Sequence, residues 1–217
     1  MIEKYNVTPL FGIPLYQSYV EGVVQQDLEY IKSLNYVRYP SGDGYGTQDK
    51  FLLDNPKLSK LKNSILKNCD HYLYDVLGVD KSIKFEITNS WSNLHKKGDT
   101  SGSHTHRNSM ISGVFYVQTD ESSGEIMFHN EKTNYNIFTP TVNVPFNNSN
   151  LNIFNAEGWA IKPKNNMLIL FPSTLKHSVF ENKSFQDRYS VAFNMFAFGK
   201  FGFDNVTQLG LDNSTNA

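Results

Sequence analysis

The chain has 217 residues, of which 39% are hydrophobic and 14% aromatic. That is enough for one sizeable core, so a single domain is expected, with two small ones as the alternative, and the composition argues against a disordered tail or a bare peptide module. Lys+Arg 20 against Asp+Glu 21 leaves a net charge of -1, without bulk attraction for nucleic acid or an anionic membrane, and the lone Cys69 excludes a disulfide framework or a multi-cysteine metal centre.

Residues 7–20 are apolar, aromatic and twice interrupted by proline, which suits an edge strand or an extended segment packed on the body. They lack the uninterrupted apolar run of a leader, and no stretch approaches the ~20 apolar residues of a membrane span. A soluble, cytoplasmic protein is therefore expected. Val24, Leu28, Ile31 and Leu34 recur at helical spacing and predict a short helix. Residues 38–49 hold four glycine or proline residues and no periodicity, so they read as a loop bordering a cleft.

A second helix begins at Asn55, a side-chain cap, followed by Pro56 with its preset φ. Leu58, Leu61, Ile65, Cys69, Tyr72, Leu73 and Val76 fall on one face and Gly78 terminates it, which makes Cys69 a small buried apolar residue. Beyond residue 79 helical periods give way to short runs of branched and aromatic residues: KFEITNSWSNL, SGVFYVQT, EIMFH, GWAIKP, NMLILFP and RYSVAFNMFAF. Six or more short strands without intervening helices predict an all-β sandwich or barrel. Residues 130–157, rich in asparagine, are expected to add one or two irregular strands.

Six histidines supply the chemistry. His104 and His106 form a His-x-His pair at a loop-to-strand junction; in an extended chain their α-carbons are roughly 6.5 to 7 Å apart on one face, close enough to grip one cation. His177 follows the apolar run NMLILF, where an imidazole needs a partner. Arg188 opens the strand RYSVAFN with Ser190 facing the same way, and its guanidinium fork suits the carboxylate of a small organic acid. His71, on the helix, reads as a packed or surface residue, and Arg38 as a solvated one. Trp91 is a core or pocket-wall residue, and Gly113 and Gly124 serve close packing and a turn. Asn194 either stabilises an inner strand or orients a ligand, Arg107 either attracts an acidic substrate or is plain surface, and His129 reads as a structural residue or a donor behind the metal site.

The ordered set HTHRNSMISGVFYV, SGEIMF and ILFPSTLKHSVFENKSFQDRYSVAFN resembles the iron(II) and 2-oxoglutarate-dependent oxygenases, in the small phage and bacterial branch related to prolyl hydroxylases. The resemblance runs from about Phe85 to Phe196 and takes in the WSN of residues 91–93. It implies a mainly β chain with flanking N-terminal helices, folded as a double-stranded β-helix (a jelly roll, or cupin-like barrel) in one domain over 1–217. Residues 1–80 would be a helical and extended buttress and 81–200 the jelly-roll core. It further implies Fe(II) and 2-oxoglutarate as cofactors, with His104, His106 and His177 as catalytic metal ligands. Arg188 and Ser190 would hold the keto acid's far carboxylate, with Tyr116 and Asn93 in the same pocket.

The implied reaction couples decarboxylation of the keto acid to hydroxylation of a peptidyl or amino-acid substrate, with O2 and an unidentified protein or small molecule as partners. Room for a homodimer remains, while membrane, nucleic acid and a disulfide partner are not expected. One departure stands out. The wider family carries His-x-Asp or His-x-Glu, whereas His106 stands at the carboxylate position; the third ligand is then His106 itself, or Asp99, Glu125 or another carboxylate with one of the paired histidines behind it. Two other readings remain: a cupin-like metal-binding or structural module without catalysis, and a three-histidine dioxygenase that uses no keto acid.

Overall fold

The computed structural model describes residues 6, 8–10, 12–130, 148–202 and 208–212. Two antiparallel sheets face each other. The larger runs in the order β1 (Tyr16–Tyr19), β9 (Met167–Pro172), β6 (Ile111–Gln118), β11 (Arg188–Phe201), β4 (Lys84–His95), β3 (Tyr45–Thr47) and β2 (Tyr36–Arg38), with β12 (Leu209–Leu211) also on β11. The smaller runs β5 (Ser101–His104), β10 (His177–Val179), β7 (Ile126–His129) and β8 (Gly158–Ile161). This is the expected β architecture, a double-stranded β-helix. None of its helices is long and apolar enough to cross a membrane among the described residues.

Strand alternation sorts the side chains of the large sheet onto two buried faces. On the outer face Phe115, Val117, Leu168, Leu170, Val191, Phe193 and Met195 meet Ile31 from α1 (Gln25–Lys32) and Leu61, Ile65 and Cys69 from α2 (Ser59–Asp70). On the inner face Tyr116, Met167, Ile169 and Phe171 meet Ile126, Phe128 and Ile161 of the small sheet. Burying each such side chain is worth about 1.5–3 kcal/mol, far above the scale of the exposed ion pairs, so the helices adhere through this apolar layer. Burial likewise raises the Cys69 thiol well above its ordinary pKa, as befits a packing residue.

The N-terminal segment forms an edge strand, β1, clamped to α2 by Asn68, whose Oδ1 accepts from Tyr16 Oη at 3.1 Å and Ser18 Oγ at 2.8 Å. Val7 and Phe11 of that segment lie outside the described residues. Asn55 caps as expected, its side chain accepting the Lys57 N–H at 3.0 Å. The first eighty residues also contribute β1, β2 and β3 to the large sheet, in addition to the helices.

Two expectations need correction. Residues 38–49 are not simply a loop: β2 and β3 form a hairpin around residues 39–44, with Gly42 and Gly44 at φ of +82° and +85°. Strands of three residues are too short to register as a period, and glycine dominated the reading. The second helix does not keep one face to its end. It passes into a π-helical turn over His71–Val76, where the Leu77 N–H reaches the Tyr72 carbonyl at 2.9 Å. Five-residue spacing rotates Val76 outward to 51% exposure and brings Leu77 against the core instead. The irregular strands expected within 130–157 fall largely on 131–147, outside the described residues; the remainder holds a short turn at Asn148–Asn150.

The helix-to-sheet layer yields a paired test. Ile65→Ala, at 0% exposure, should lower the unfolding free energy by about 2–5 kcal/mol, whereas Val76→Ala should change it by less than about 0.5 kcal/mol in urea titrations. A loss at Val76 matching that at Ile65 would contradict the π-turn.

Candidate metal centre and its cavity

The strand pairing of the small sheet builds the histidine cluster. His177, first residue of β10, is the cross-strand partner of His104, last residue of β5, and the His106 N–H is held by the Ser173 carbonyl at 3.0 Å. One nitrogen from each of the three rings lies within 4.8 Å of the other two, the dimension of a single metal site, and among the described residues this is the one such cluster. The Nδ1 atoms of His104 and His177 lie 2.8 Å and 3.0 Å from the carbonyls of Gly102 and Leu175. Each Nδ1–H donates there, which leaves both Nε2 lone pairs free for a cation. Phe171 packs 4.8 Å from the His177 ring and Trp91 6.1 Å from the His106 ring, so one side of the cluster is apolar.

Burial holds the pKa of His177 down to about 3, and burial followed by the neighbouring His104 holds that of His106 down to about 4. Both rings are therefore neutral at physiological pH, as a metal-binding imidazole must be. The cluster contains no carboxylate. Asp99 spends Oδ2 on the Lys96 N–H at 2.9 Å and pairs with Arg38 through Oδ1 at 3.4 Å, and neither Asp99 nor Glu125 lines the cavity. Arg38 is thus tied to Asp99 at 53% exposure.

A cavity of about 680 Å³ opens beside the cluster, lined among others by Arg188, Ser190, Tyr116 and Asn93. Register explains the grouping. On β11, Ser190 faces Asn93 of β4 on one side and Tyr116 of β6 on the other, and Arg188 faces His95. Arg188 is 2% exposed; its Nη1 donates to the carbonyls of Ser123 and Gly124, each at 3.2 Å, and its buried Nε–H has no partner. No carboxylate lies within 4 Å of the guanidinium among the described residues. A buried cation of this kind calls for an anion.

The donors around it are oriented. Asn93 Oδ1 accepts from Tyr39 Oη at 2.8 Å and from Trp91 Nε1 at 3.1 Å. An indole N–H only donates, so the amide oxygen is fixed there and the Asn93 NH2 group is left to donate elsewhere. Tyr116 is fully buried and its hydroxyl is pushed up to about 12 by desolvation, against the pull of Arg188, so it stays protonated.

Several residues escaped the sequence reading. His95 lines the cavity at 3% exposure, with Nε2 2.8 Å from Ser101 Oγ; desolvation and then the charge of Arg188 drive its pKa down to about 3. The alternation of Trp91, Asn93 and His95 along β4 could have found it. Tyr39 and Lys50 come from the hairpin region, where no pattern distinguished them. The remaining histidines lie elsewhere: His71 pairs with Asp75 on the surface at 2.9 Å, and His129 bonds Ser178 Oγ at 2.9 Å beside a separate hollow. Trp91 is a wall of the pocket, Arg107 is exposed, and Asn194 joins an inner polar chain by donating to Asn89 Oδ1 at 2.9 Å while accepting from Ser112 at 2.8 Å. Gly113 leaves space for Phe193, whose ring would lie 2.2 Å from a β-carbon there.

Comparison with known proteins finds the following likenesses. The family described as "Putative 2OG-Fe(II) oxygenase" matches residues 89–194. Among solved structures, an oxidoreductase of the 2OG-Fe(II) oxygenase family from Burkholderia pseudomallei is 14% identical with a TM-score of 0.56, covering 83% of each chain. HygX from Streptomyces hygroscopicus, solved with nickel, 2-oxoglutarate and hygromycin B, is 10% identical with a TM-score of 0.55, covering 84% of this chain and 82% of its own. AviO1 from Streptomyces viridochromogenes Tue57 is 9% identical with a TM-score of 0.54, covering 84% and 89%. These likenesses establish the shared fold. No curated protein matches the sequence.

The buried imidazoles make the metal-free protein acid-sensitive. In the unfolded chain they titrate near the ordinary 6.5, in the folded chain near 3 for His95 and His177 and near 4 for His106. Between those values the unfolded state binds more protons, so stability is fully present above about pH 6.5 and is lost as pH falls towards 4. Denaturant titrations of chelator-treated protein should show a falling midpoint over that window, and His95→Asn should flatten the slope whatever its effect at pH 7. An unchanged slope would remove His95 from the set of buried neutral bases.

Proposed function

We propose that this enzyme hydroxylates a peptidyl or amino-acid substrate, with iron held by His104, His106 and His177 and 2-oxoglutarate anchored at Arg188, a reading supported by the match of residues 89–194 to the 2OG-Fe(II) oxygenase family. One observation carries the reading: a buried guanidinium with no carboxylate within 4 Å among the described residues shares a cavity with a three-imidazole cluster. The donor set fits both groups. Three nitrogens within 4.8 Å of one another suit a first-row divalent metal, and the unpartnered Nε–H of Arg188 suits a carboxylate. When bound, Fe(II) would supply O2 activation coupled to oxidative decarboxylation of the keto acid.

The protein's part is binding and orientation. The carbonyls of Gly102 and Leu175 fix the tautomers of His104 and His177, so the nitrogens facing the cluster are acceptors. Arg188 and Lys50 against the ionised Asp43 leave the cavity lining with a positive balance, to which the neutral His106 and His177 rings add nothing, and this favours an anionic keto acid. Ser190 and the protonated Tyr116 add hydroxyl donors beside the guanidinium. Phe171, against His177, keeps water from that side.

A three-histidine dioxygenase without a keto acid would leave Arg188 with no anion to bind, so the buried cation favours the keto-acid reading. Protein purified without oxygen, loaded with Fe(II) and then exposed to O2 should consume 2-oxoglutarate and O2 together and release succinate and CO2, and His177→Ala should abolish this. In Mn(II)-reconstituted protein, calorimetry should show Arg188→Lys weakening 2-oxoglutarate binding by about 1.5–3 kcal/mol, or roughly 10- to 160-fold, since a point charge replaces a two-pronged donor. Ser190→Ala should cost about 0.5–1.5 kcal/mol. Wild-type affinity in both Arg188→Lys and Arg188→Ala would end the anchor assignment. A gain of 16 Da on a peptide or amino acid, sought by mass spectrometry in protein extracts and metabolite pools, identifies the substrate; oxidation confined to nucleic-acid bases would overturn the substrate class.

A further inference from the structure

The cavity has a wall used neither by the histidine cluster nor by Arg188. Lys50 follows the hairpin, and its ammonium lies 5.9 Å from the centroid of the Tyr39 ring and 5.7 Å from that of Trp91 while donating to the Thr47 carbonyl at 2.9 Å. Two aromatic faces and a carbonyl hold this charge at one place on the cavity rim. It has no acidic partner within 4 Å among the described residues. Lys50 is an exposed residue on the rim; partial desolvation lowers its pKa, with Asp49 opposing, and no ion pair among the described residues screens the charge.

The same two rings are hooked together at Asn93, whose Oδ1 takes the Tyr39 hydroxyl and the Trp91 indole N–H. Rings fixed at their polar ends give Lys50 a rigid seat, and they leave the Asn93 NH2 group as a second donor on the same wall. Trp91 then runs from Lys50 towards the metal cluster, with its ring 6.1 Å from that of His106. The acidic residue that lines the cavity, Asp43, is held ionised by hydrogen bonds from Ser41 and the Gly102 N–H, the latter at 2.9 Å, and makes no ion pair with Lys50 within 4 Å.

Resting on the oxygenase reading above, we propose that Lys50 is a specificity determinant that binds a carboxylate of the second substrate, whose carbon chain lies along Trp91 towards His106. An ammonium and one amide N–H match the two oxygens of a carboxylate; a phosphate would press a further charged oxygen against the aromatic faces.

The test uses wild-type protein loaded with Mn(II) and 2-oxoglutarate, titrated calorimetrically with N-acetyl amino acids and with their C-terminal amides, which share a skeleton and differ in the charge. At least one acid should bind, and bind about 10-fold or more tightly than its amide. Lys50→Gln should bring the acid down to the level of the amide, and Lys50→Arg should restore part of the preference. Equal binding of acid and amide, no acid binding up to millimolar concentration, a tighter-binding phosphate monoester of matched skeleton, or an acid preference that survives Lys50→Gln would each overturn the assignment. Binding of 2-oxoglutarate to the Mn(II) protein is read in a separate, earlier titration, so its failure counts against the oxygenase reading while the acid-to-amide ratio reports on Lys50 alone.

Discussion

A guanidinium buried to 2% exposure with no carboxylate within 4 Å among the described residues is a costly element, and much of the surrounding architecture is arranged to tolerate it. Removing such a group from water carries a penalty of several kcal/mol that two carbonyl hydrogen bonds only partly offset. The folded protein therefore holds a standing demand for an anion at the inner end of its cavity. Around Arg188 the titratable neighbours have been kept from adding to the cost: the pKa of His95 is driven down so that it carries no second positive charge, and Tyr116 remains a neutral donor.

The strand that carries Arg188 also carries the fold. β11 alternates between Val191, Phe193 and Met195, which adhere to the helical layer, and Arg188, Ser190 and Ala192, which line the cavity. One stretch of backbone is thus the floor of the hydrophobic core and the ceiling of the polar site. Its pairing with β4 and β6 converts sequence-distant residues into rows, with Asn93, Ser190 and Tyr116 in one and His95 beside Arg188 in the next. A slip of one residue in either pairing would turn the polar row into the apolar layer, and the unbonded charge would penalise it heavily.

This division explains what could be seen in the sequence. The strands were legible because branched and aromatic runs with flanking turn residues announce a sheet, and His104, His106 and His177 stood out by residue type at strand ends. Arg188 and Ser190 followed from alternation on an apolar strand. What stayed hidden depended on geometry that no local period encodes. The hairpin of β2 and β3 is too short to show alternation, so Tyr39 and Lys50 passed unnoticed. The π-turn at His71–Val76 changes the helical repeat within six residues and misplaced Val76. His95, by contrast, continues the alternation of Trp91 and Asn93 to the last residue of β4 and was within reach of that pattern.

The carbonyls that hold Arg188 belong to Ser123 and Gly124, at the turn between β6 and β7. That turn is set by Asp120, which accepts from the Ser122 N–H at 2.8 Å and the Ser123 hydroxyl at 3.0 Å, and by Gly124, at φ +80° with the Phe180 carbonyl 2.2 Å from where a β-carbon would be. Surface turns ordinarily drift in length as proteins diverge, since little depends on them. Here the length of residues 120–124 fixes where two oxygens meet an internal charge, so an inserted or deleted residue on the outside of the barrel would be felt at its centre. Homologous chains should accordingly vary less in length at this connection than at the β2–β3 hairpin, making indels there a genealogical marker of whether the internal charge has been retained.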